Sequence, residues 1–376
     1  MTPVDDITVE AVRIYRVSIP LITPYHLSKV YDVITHSEVV VVELIADGVS
    51  GWGEADPGGV MFTGDTCDDV MAYYTQGGAS TLRGMKLGEL ISGVAPVGIR
   101  GATKSAINVA AYDLVGRLTD TPVWKMLGDK HHQALPSLWP TSSGTVEQDM
   151  QVIGEKYDIG YRTFMLKMGS NPVEEDIARA HEVYEQTPDD VRLMVDANQG
   201  WTFDEATAFM RQTADVPLAL IEQPIAAADY GRIHELRALA PNPISVDESL
   251  QSLADAERII EARGADIFSV KISKNGGLTE GLAICRLAAE NGVRIMMNSM
   301  IELGITQAAA LHLGCVSPNV VDFGHAFMSV QRTSDDITDF ADWKNRGTVS
   351  LPDNPGLGIM VSRDKIDQYC LSRVEG

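Results

Sequence analysis

Three short apolar runs, each ending in a carboxylate, constrain this chain more than any other feature. They read Arg192-Leu-Met-Val-Asp196, Leu220-Ile-Glu222 and Ile244-Ser-Val-Asp247, and their acids stand 26 and then 25 residues apart. Amphipathic stretches of helical period, 204–213 and 231–240, lie between them. A strand, a helix and a return to the same edge is a βαβ unit. Units of equal length set their strand ends side by side at one face of a parallel sheet or barrel. Asp196, Glu222 and Asp247 are therefore expected to converge there. One acid at a strand end reads equally well as an N-cap or a solvated loop residue. Three in step repel one another unless a hard cation sits among them, so a divalent metal site is expected, with Mg²⁺ as its ion.

The same rhythm extends over much of the chain. Strands are expected at 134–139, 162–168, 192–196, 218–222, 244–247, 267–271, 294–298 and 320–323, with helices between them. Eight strands in this alternation predict an α/β fold, a (β/α)7β modified TIM barrel, over residues 133–325. Residues 1–132 read differently. Two strands, 7–19 and the Val-rich 37–46, precede the turn Asp47-Gly48 and the run Val49–Glu54, and a helical region with many small residues follows at 102–118. This is an N-terminal α+β domain. Its loops at 20–36, with Tyr25, His26 and Tyr31, and at 56–65, with Gly58, Gly59 and the pair Met61-Phe62, are candidates for closing over a site. Residues 326–376 hold no further βα unit and are expected to return to the first domain as an extended segment.

Composition excludes several classes of function. A net charge of −22 argues against nucleic acid or an anionic membrane as partner. Hydrophobic residues at 45% supply a large core, yet no apolar run approaches a membrane span of about 20 residues. The N-terminus is acidic, unlike a signal peptide. Cys67, Cys285, Cys315 and Cys370 show no paired spacing, so reduced thiols and a cytoplasmic location are expected.

Two lysines occupy matching positions. Lys167 ends the second expected strand and Lys271 the sixth, flanking the three acid-bearing strands. In a ring of eight these strands lie opposite each other, so two ammonium groups would face across the mouth. Desolvation and nearby cations should lower their pKa values toward neutrality, as a general base requires. A structural reading, in which each lysine merely pairs with a carboxylate, stands beside this one. Opposed lysines over a divalent cation suit removal of a weakly acidic proton α to a carboxylate.

The chain carries Gly51-Trp52-Gly-Glu54 in its first domain, followed by Asp196-Ala-Asn198, Glu222-Gln-Pro224, Asp247-Glu248-Ser249 and Val270-Lys271-Ile-Ser-Lys-Asn-Gly276-Gly277. In these motifs the chain resembles the enolase superfamily, specifically its muconate-lactonising-enzyme subgroup, over nearly its whole length. The resemblance implies a capping domain whose loops cover the barrel mouth. It implies one Mg²⁺ per subunit, replaceable by Mn²⁺, held by Asp196, Glu222 and Asp247 with Asn198 and Glu248 beside them. It also implies an acid/base pair of Lys167 and Lys271, a small carboxylate substrate, and a symmetric homo-oligomer. Tyr25, His26, Trp139, Ser299, Glu302 and Asp322 are the substrate-contact candidates. Trp139 reads equally as core, whereas for Glu302 and Asp322 the structural reading, as a cap or loop acid, comes first.

The chain departs from the subgroup at two points. Met165 stands where the family often has the first lysine of Lys-x-Lys, and Val321-Asp322-Phe323-Gly324 lacks the Asp-x-Asp of dipeptide epimerases. The resemblance then implies racemisation, epimerisation or syn-dehydration of a small amino-acid-like acid, with hydroxyproline and proline-betaine types as nearest examples. Cycloisomerisation of an unsaturated diacid and, behind it, dipeptide epimerisation are the alternatives. A binding protein with a vestigial site is the reading from outside enzymology.

Overall fold

In the computed structural model, residues 6–376 are described apart from 61, 94–98, 100, 143, 240 and 346; Met61 and the first five residues of the chain therefore lie outside the described residues. β1 (Ala11–Tyr25), β2 (Ile34–Ala46) and β3 (Val49–Ala55) form an antiparallel sheet. The β2–β3 turn is Asp47-Gly48, with φ of 48° and 72°, the two-residue geometry that Asp-Gly favours. The Val run of β2 has a simple cause: both faces of the sheet are covered. Val40, Val42 and Leu44 face the cap's own core, whereas Val39 and Val41 join the core of the barrel. Behind β3 lies the helix Gly101–Leu118. Its backbone comes so near that a Cβ on Gly51 or Gly53 would stand 2.4 or 1.8 Å from a helix carbonyl oxygen. The glycines of Gly51-Trp52-Gly53-Glu54 thus permit this close approach.

β4 (Trp139–Pro140), β5 (Thr163–Lys167), β6 (Arg192–Asp196), β7 (Ile221–Glu222), β8 (Ile244–Val246), β9 (Ile267–Val270) and β10 (Arg294–Met297) form a parallel sheet in chain order. The segment 320–326 joins its two edges, through Val321 N–H to the Ile295 carbonyl, Ala326 N–H to that of Met297, and Leu138 N–H to that of His325. The architecture is a barrel of this α/β kind under an antiparallel cap. Helix starts follow local chemistry: Thr202 caps Phe203–Gln212, its hydroxyl accepting from Glu205 N–H while the Glu205 carboxylate accepts from Thr202 N–H.

Several expectations need correction. Ala134–Pro136 pairs antiparallel with Thr348–Ser350, so only Trp139–Pro140 contributes to the first barrel strand. β1 continues to Tyr25 and β2 begins at Ile34, which shortens the expected 20–36 loop. In place of one helix at 231–240 the chain makes a 3₁₀ segment, Ala227–Arg232, and a short helix, Ile233–Arg237. The C-terminal segment is not merely extended. It includes the helix Arg363–Tyr369 and ends in β11 (Cys370–Glu375), which pairs antiparallel with β1. Among the described residues, no helix is long and apolar enough to cross a membrane, and all four cysteines are unpaired.

Candidate active site

Register builds the site. Lys167 lies opposite Asp196 on neighbouring strands, and Asp196 lies opposite Glu222. Asp247 and Lys271 follow immediately after β8 and β9. All five side chains are buried. The Lys167 ammonium donates to Asp196 Oδ2 and, at 3.1 Å, to Asn198 Oδ1. The Lys271 ammonium lies 2.6 Å from Asp247 Oδ2. Lys274, fully enclosed, donates to Asp247 Oδ1 at 2.6 Å and to the Asp247 carbonyl at 2.5 Å. Glu222 Oε1 accepts from Ser269 Oγ at 2.9 Å and Asn298 Nδ2 at 2.7 Å.

The expected lowering of both lysine pKa values is not what this arrangement produces. Burial pulls Lys167 down, but Asp196, with Tyr25 and Glu222, outweighs it and raises the pKa. Burial acts likewise on Lys271 and is outweighed by Asp247, Glu222 and Glu248. The physical reason is that each ammonium sits directly against a carboxylate, whose attraction exceeds the cost of burial. Lys274 is lowered, because burial and the neighbouring Lys271 exceed the pull of Asp247. Burial, then Asp196 and Asp247, raise Glu222 well above the ordinary carboxylate range. Glu248 is pushed up to about 7 by burial with Asp247 and Asp196 nearby.

The donor set suits Mg²⁺. Three carboxylates offer hard oxygen ligands, and Glu222 Oε2 is buried with no hydrogen-bond partner among the described residues. Among the described residues, no three such side chains already stand as a metal cage; the ammonium groups of Lys167, Lys271 and Lys274 hold two of the acids instead. Asn198 and Glu248 stand beside them. The Asn198 N–H donates to Asp196 Oδ1 at 2.8 Å, and Glu248 Oε1 accepts from Asn198 Nδ2 and Tyr31 OH at 3.3 and 2.8 Å.

Lys167 and Lys271 line one inner cavity of about 30 Å³ together with Tyr25, Phe62, Met165 and Arg332. That is room for about one water molecule. The cap meets the barrel through Ser28 Oγ on the Asn198 carbonyl (2.8 Å) and Ser37 Oγ on that of Ile301 (2.6 Å). Glu54 accepts from Leu303 and Thr306 N–H at the start of the helix Gly304–Val316. Phe62 stacks on Tyr31 at 4.4 Å.

The contact candidates divide. Tyr25 and Ser299 face the inner cavity. His26, exposed, and Trp139 line an outer recess of about 650 Å³. Glu302 is buried and occupied, accepting from Ser299 Oγ, Met300 N–H, Ile301 N–H and Gln307 Nε2, and so it holds the 299–301 turn. Asp322 is misplaced in the sequence reading. Its side chain is 79% exposed and lies 3.5 Å from Arg192, which begins β6, so it sits at the rim opposite the carboxylates. In place of an eighth strand at 320–323 the chain makes isolated bridges at Val320 and His325, and Ala326 and Met328 reach the cavity instead. The sequence reading gave no role to Lys274 or Arg332. Lys274 had a signal, its three-residue spacing from Lys271; Arg332 had none.

A barrel with three acids on successive strand ends and lysines on either side defines a class, the enolase-type enzymes. Comparison with known families agrees. Residues 9–128 match the mandelate racemase / muconate lactonizing enzyme N-terminal domain, and residues 150–365 match the enolase C-terminal domain-like family. The chain belongs to this family, and it is an isomerase-type enzyme. It is 30% identical to the L-Ala-D/L-Glu epimerase of Bacillus subtilis (strain 168), over 92% of this chain and 94% of that protein. It is 29% identical to muconate cycloisomerase 1-2 of Acinetobacter lwoffii, over 96% and 95%. A dipeptide epimerase from Cytophaga hutchinsonii, complexed with Mg and the dipeptide D-Ala-L-Val, superposes with a TM-score of 0.90 at 24% identity, covering 98% of this chain and 99% of that one.

Proposed function

We propose that the chain racemises or epimerises a small carboxylic acid by moving the proton on its α-carbon between Lys167 and Lys271. One observation carries this reading: the two ammonium groups line a single cavity, each anchored by a different member of the acid triad. Asp196, Glu222 and Asp247 would hold Mg²⁺, which when bound supplies positive charge for the substrate carboxylate as its α-carbon loses a proton. Asn198 fixes both Lys167 and Asp196. Lys274 shares Asp247 with Lys271 and so offsets part of the carboxylate charge that Lys271 meets. Phe62 and Tyr25 exclude water above the reacting carbon. Domain limits at residues 132 and 325 belong to the same proposal, supported by the pairing of β11 with β1.

The inner lining bears on the substrate. It includes Lys167, Lys271 and Arg332, and among its described residues there is no carboxylate. A free ammonium or quaternary nitrogen finds no counter-ion there, so hydroxyproline, proline-betaine and unblocked dipeptide substrates fit less well than an amino acid whose nitrogen is acylated. Cycloisomerisation of an unsaturated diacid remains the second reading, favoured by the same cationic lining and by the relative from Acinetobacter lwoffii.

The test is α-proton exchange in D₂O. Lys167→Ala should stop exchange of one stereoisomer and spare the other, with Lys271→Ala showing the mirror result. Each loss should be on the order of 10²–10⁴ in rate. Unimpaired exchange of both isomers by the double variant would refute the assignment, and a lactone product without exchange would favour cycloisomerisation.

A further inference from the structure

The outer recess shares Arg332 and Pro140 with the inner cavity, so the two meet at a neck. Arg332 stacks on Tyr25 at 3.5 Å, and its Nη1 is buried with no hydrogen-bond partner among the described residues. Its carbonyl accepts from Ile22 N–H, which fastens it to the end of β1. Lys156 also lines the recess, its ammonium 4.0 Å from the Trp139 ring centroid, with no acid within ion-pair distance among the described residues. Two acids share this wall. Asp149 is already neutralised by Arg179 through contacts of 2.6 and 2.8 Å, and Glu155 accepts from Gln151 Nε2 at 3.0 Å.

Two cations resting on aromatic faces, without carboxylate partners, are unexpected in a chain of net charge −22. A guanidinium nitrogen left buried and unpaired is destabilising unless something arrives to accept from it. An aromatic face steadies a cation but leaves its donors free.

We infer that Arg332 and Lys156 bind a second anionic group of the substrate, a carboxylate distant from the reacting carbon, so that specificity is for a dicarboxylate. Its α-carboxylate end lies in the inner cavity, its chain passes Pro140 at the neck, and its far carboxylate enters the outer recess. The guanidinium fork offers that carboxylate two parallel donors. His26, on the same wall, borders the path without being required for the charge.

The inference rests on the proton-transfer reading for what occupies the inner cavity, and calorimetry separates the two because binding needs no turnover. N-succinyl-alanine and its terminal primary amide, alike in shape and different by one charge, are titrated into the full chain with Mg²⁺ present. Wild type should bind the acid more tightly than the amide, on the order of 10- to 10²-fold. Arg332→Gln should bring that ratio close to one, Arg332→Lys should keep most of it, and Lys156→Met should lower it by a smaller factor. Melting by circular dichroism checks that each variant is folded, and Lys156→Met, at a half-buried site, serves if Arg332→Gln is not. A ratio near one in wild type, an unchanged ratio in Arg332→Gln, or no binding of either compound overturns the inference. An intact ratio with no α-proton exchange by any compound overturns the parent reading alone.

Discussion

Replacing Lys274 by Met tests whether this lysine is the fixed counter-charge of the site. The change keeps the length of a fully enclosed side chain and removes its charge. Lost with it are the ion pair to Asp247 Oδ1 at 2.6 Å and the hydrogen bond to the Asp247 carbonyl. Burial alone would raise Asp247; Lys271 and Lys274 outweigh it and hold the carboxyl at about 2. Lys271 remains in the variant, so part of the compensation persists. Breaking a buried pair by removing one partner costs about 3–5 kcal/mol. With an unfolding entropy of about 2.1 cal/mol/K per residue, this chain loses roughly 4–6 °C of Tm. Thermal unfolding followed by circular dichroism measures it, with and without Mg²⁺. The added ion should raise Tm more in the variant than in wild type, because the uncompensated Asp247 charge is what it neutralises. A fall in Tm smaller than about 1 °C without the ion would show that Asp247 does not depend on Lys274.

Two further outcomes follow from the same geometry. Asp196→Asn, Glu222→Gln and Asp247→Asn should each abolish turnover while the circular dichroism spectrum stays that of wild type, and full activity after dialysis against excess chelator would refute the metal triad. Burial lowers His312 and His325 to about 4, so their stabilising contribution is complete above about 6.5 and is lost as pH falls toward 4, at most roughly 3 kcal/mol each. Two of the eight histidines should therefore keep neutral ring resonances at pH 5.5 in NMR spectra, and titration of all eight near 6.5 would contradict it.

The site was legible in the sequence where chemistry coincides with period. Asp196, Glu222, Asp247, Lys167 and Lys271 each end an apolar run, and strand register then sets them side by side with no further information. The reading failed where the chain leaves its period. Val320-Val321 reads as the last of the apolar runs and makes Asp322 a strand end, yet the chain bends at 322–323 and bridges again at His325, whose ring is buried and hydrogen-bonded to Met297 N–H. A buried neutral histidine reads as polar in sequence. Ala134–Pro136 was assigned to the barrel because its partner, Thr348–Ser350, lies more than 200 residues away, a pairing that no local pattern reveals. Arg332 escaped for the same reason: its place beside Tyr25 depends on a bridge between Leu21 and Thr333.

Charge balance at the site leads to one more measurable consequence. Asp196, Glu222, Asp247 and Glu248 face Lys167, Lys271 and Lys274, four carboxyl groups against three ammonium groups. The imbalance falls on Glu222, buried between two other acids and raised well above its usual range, and on Glu248, at about 7. At neutral pH Glu248 is therefore about half protonated, and Glu222 holds a proton more readily than an ordinary carboxyl group. A carboxyl group must lose its proton to ligate Mg²⁺. Titrating Mg²⁺ into the protein should thus release protons, from Glu222 and, near pH 7, from Glu248. Calorimetric titrations in phosphate and in Tris, whose ionisation enthalpies differ, give their number directly. Glu248→Gln should remove the fraction that varies near pH 7 and leave the proton from Glu222. Binding at pH 6.5 with no proton released would mean that Glu222 is already ionised, and that the ammonium groups neutralise the triad more completely than their pairing with Asp196 and Asp247 implies. With protons released and a double positive charge gained, the site becomes more positive, which is the state an anionic substrate meets.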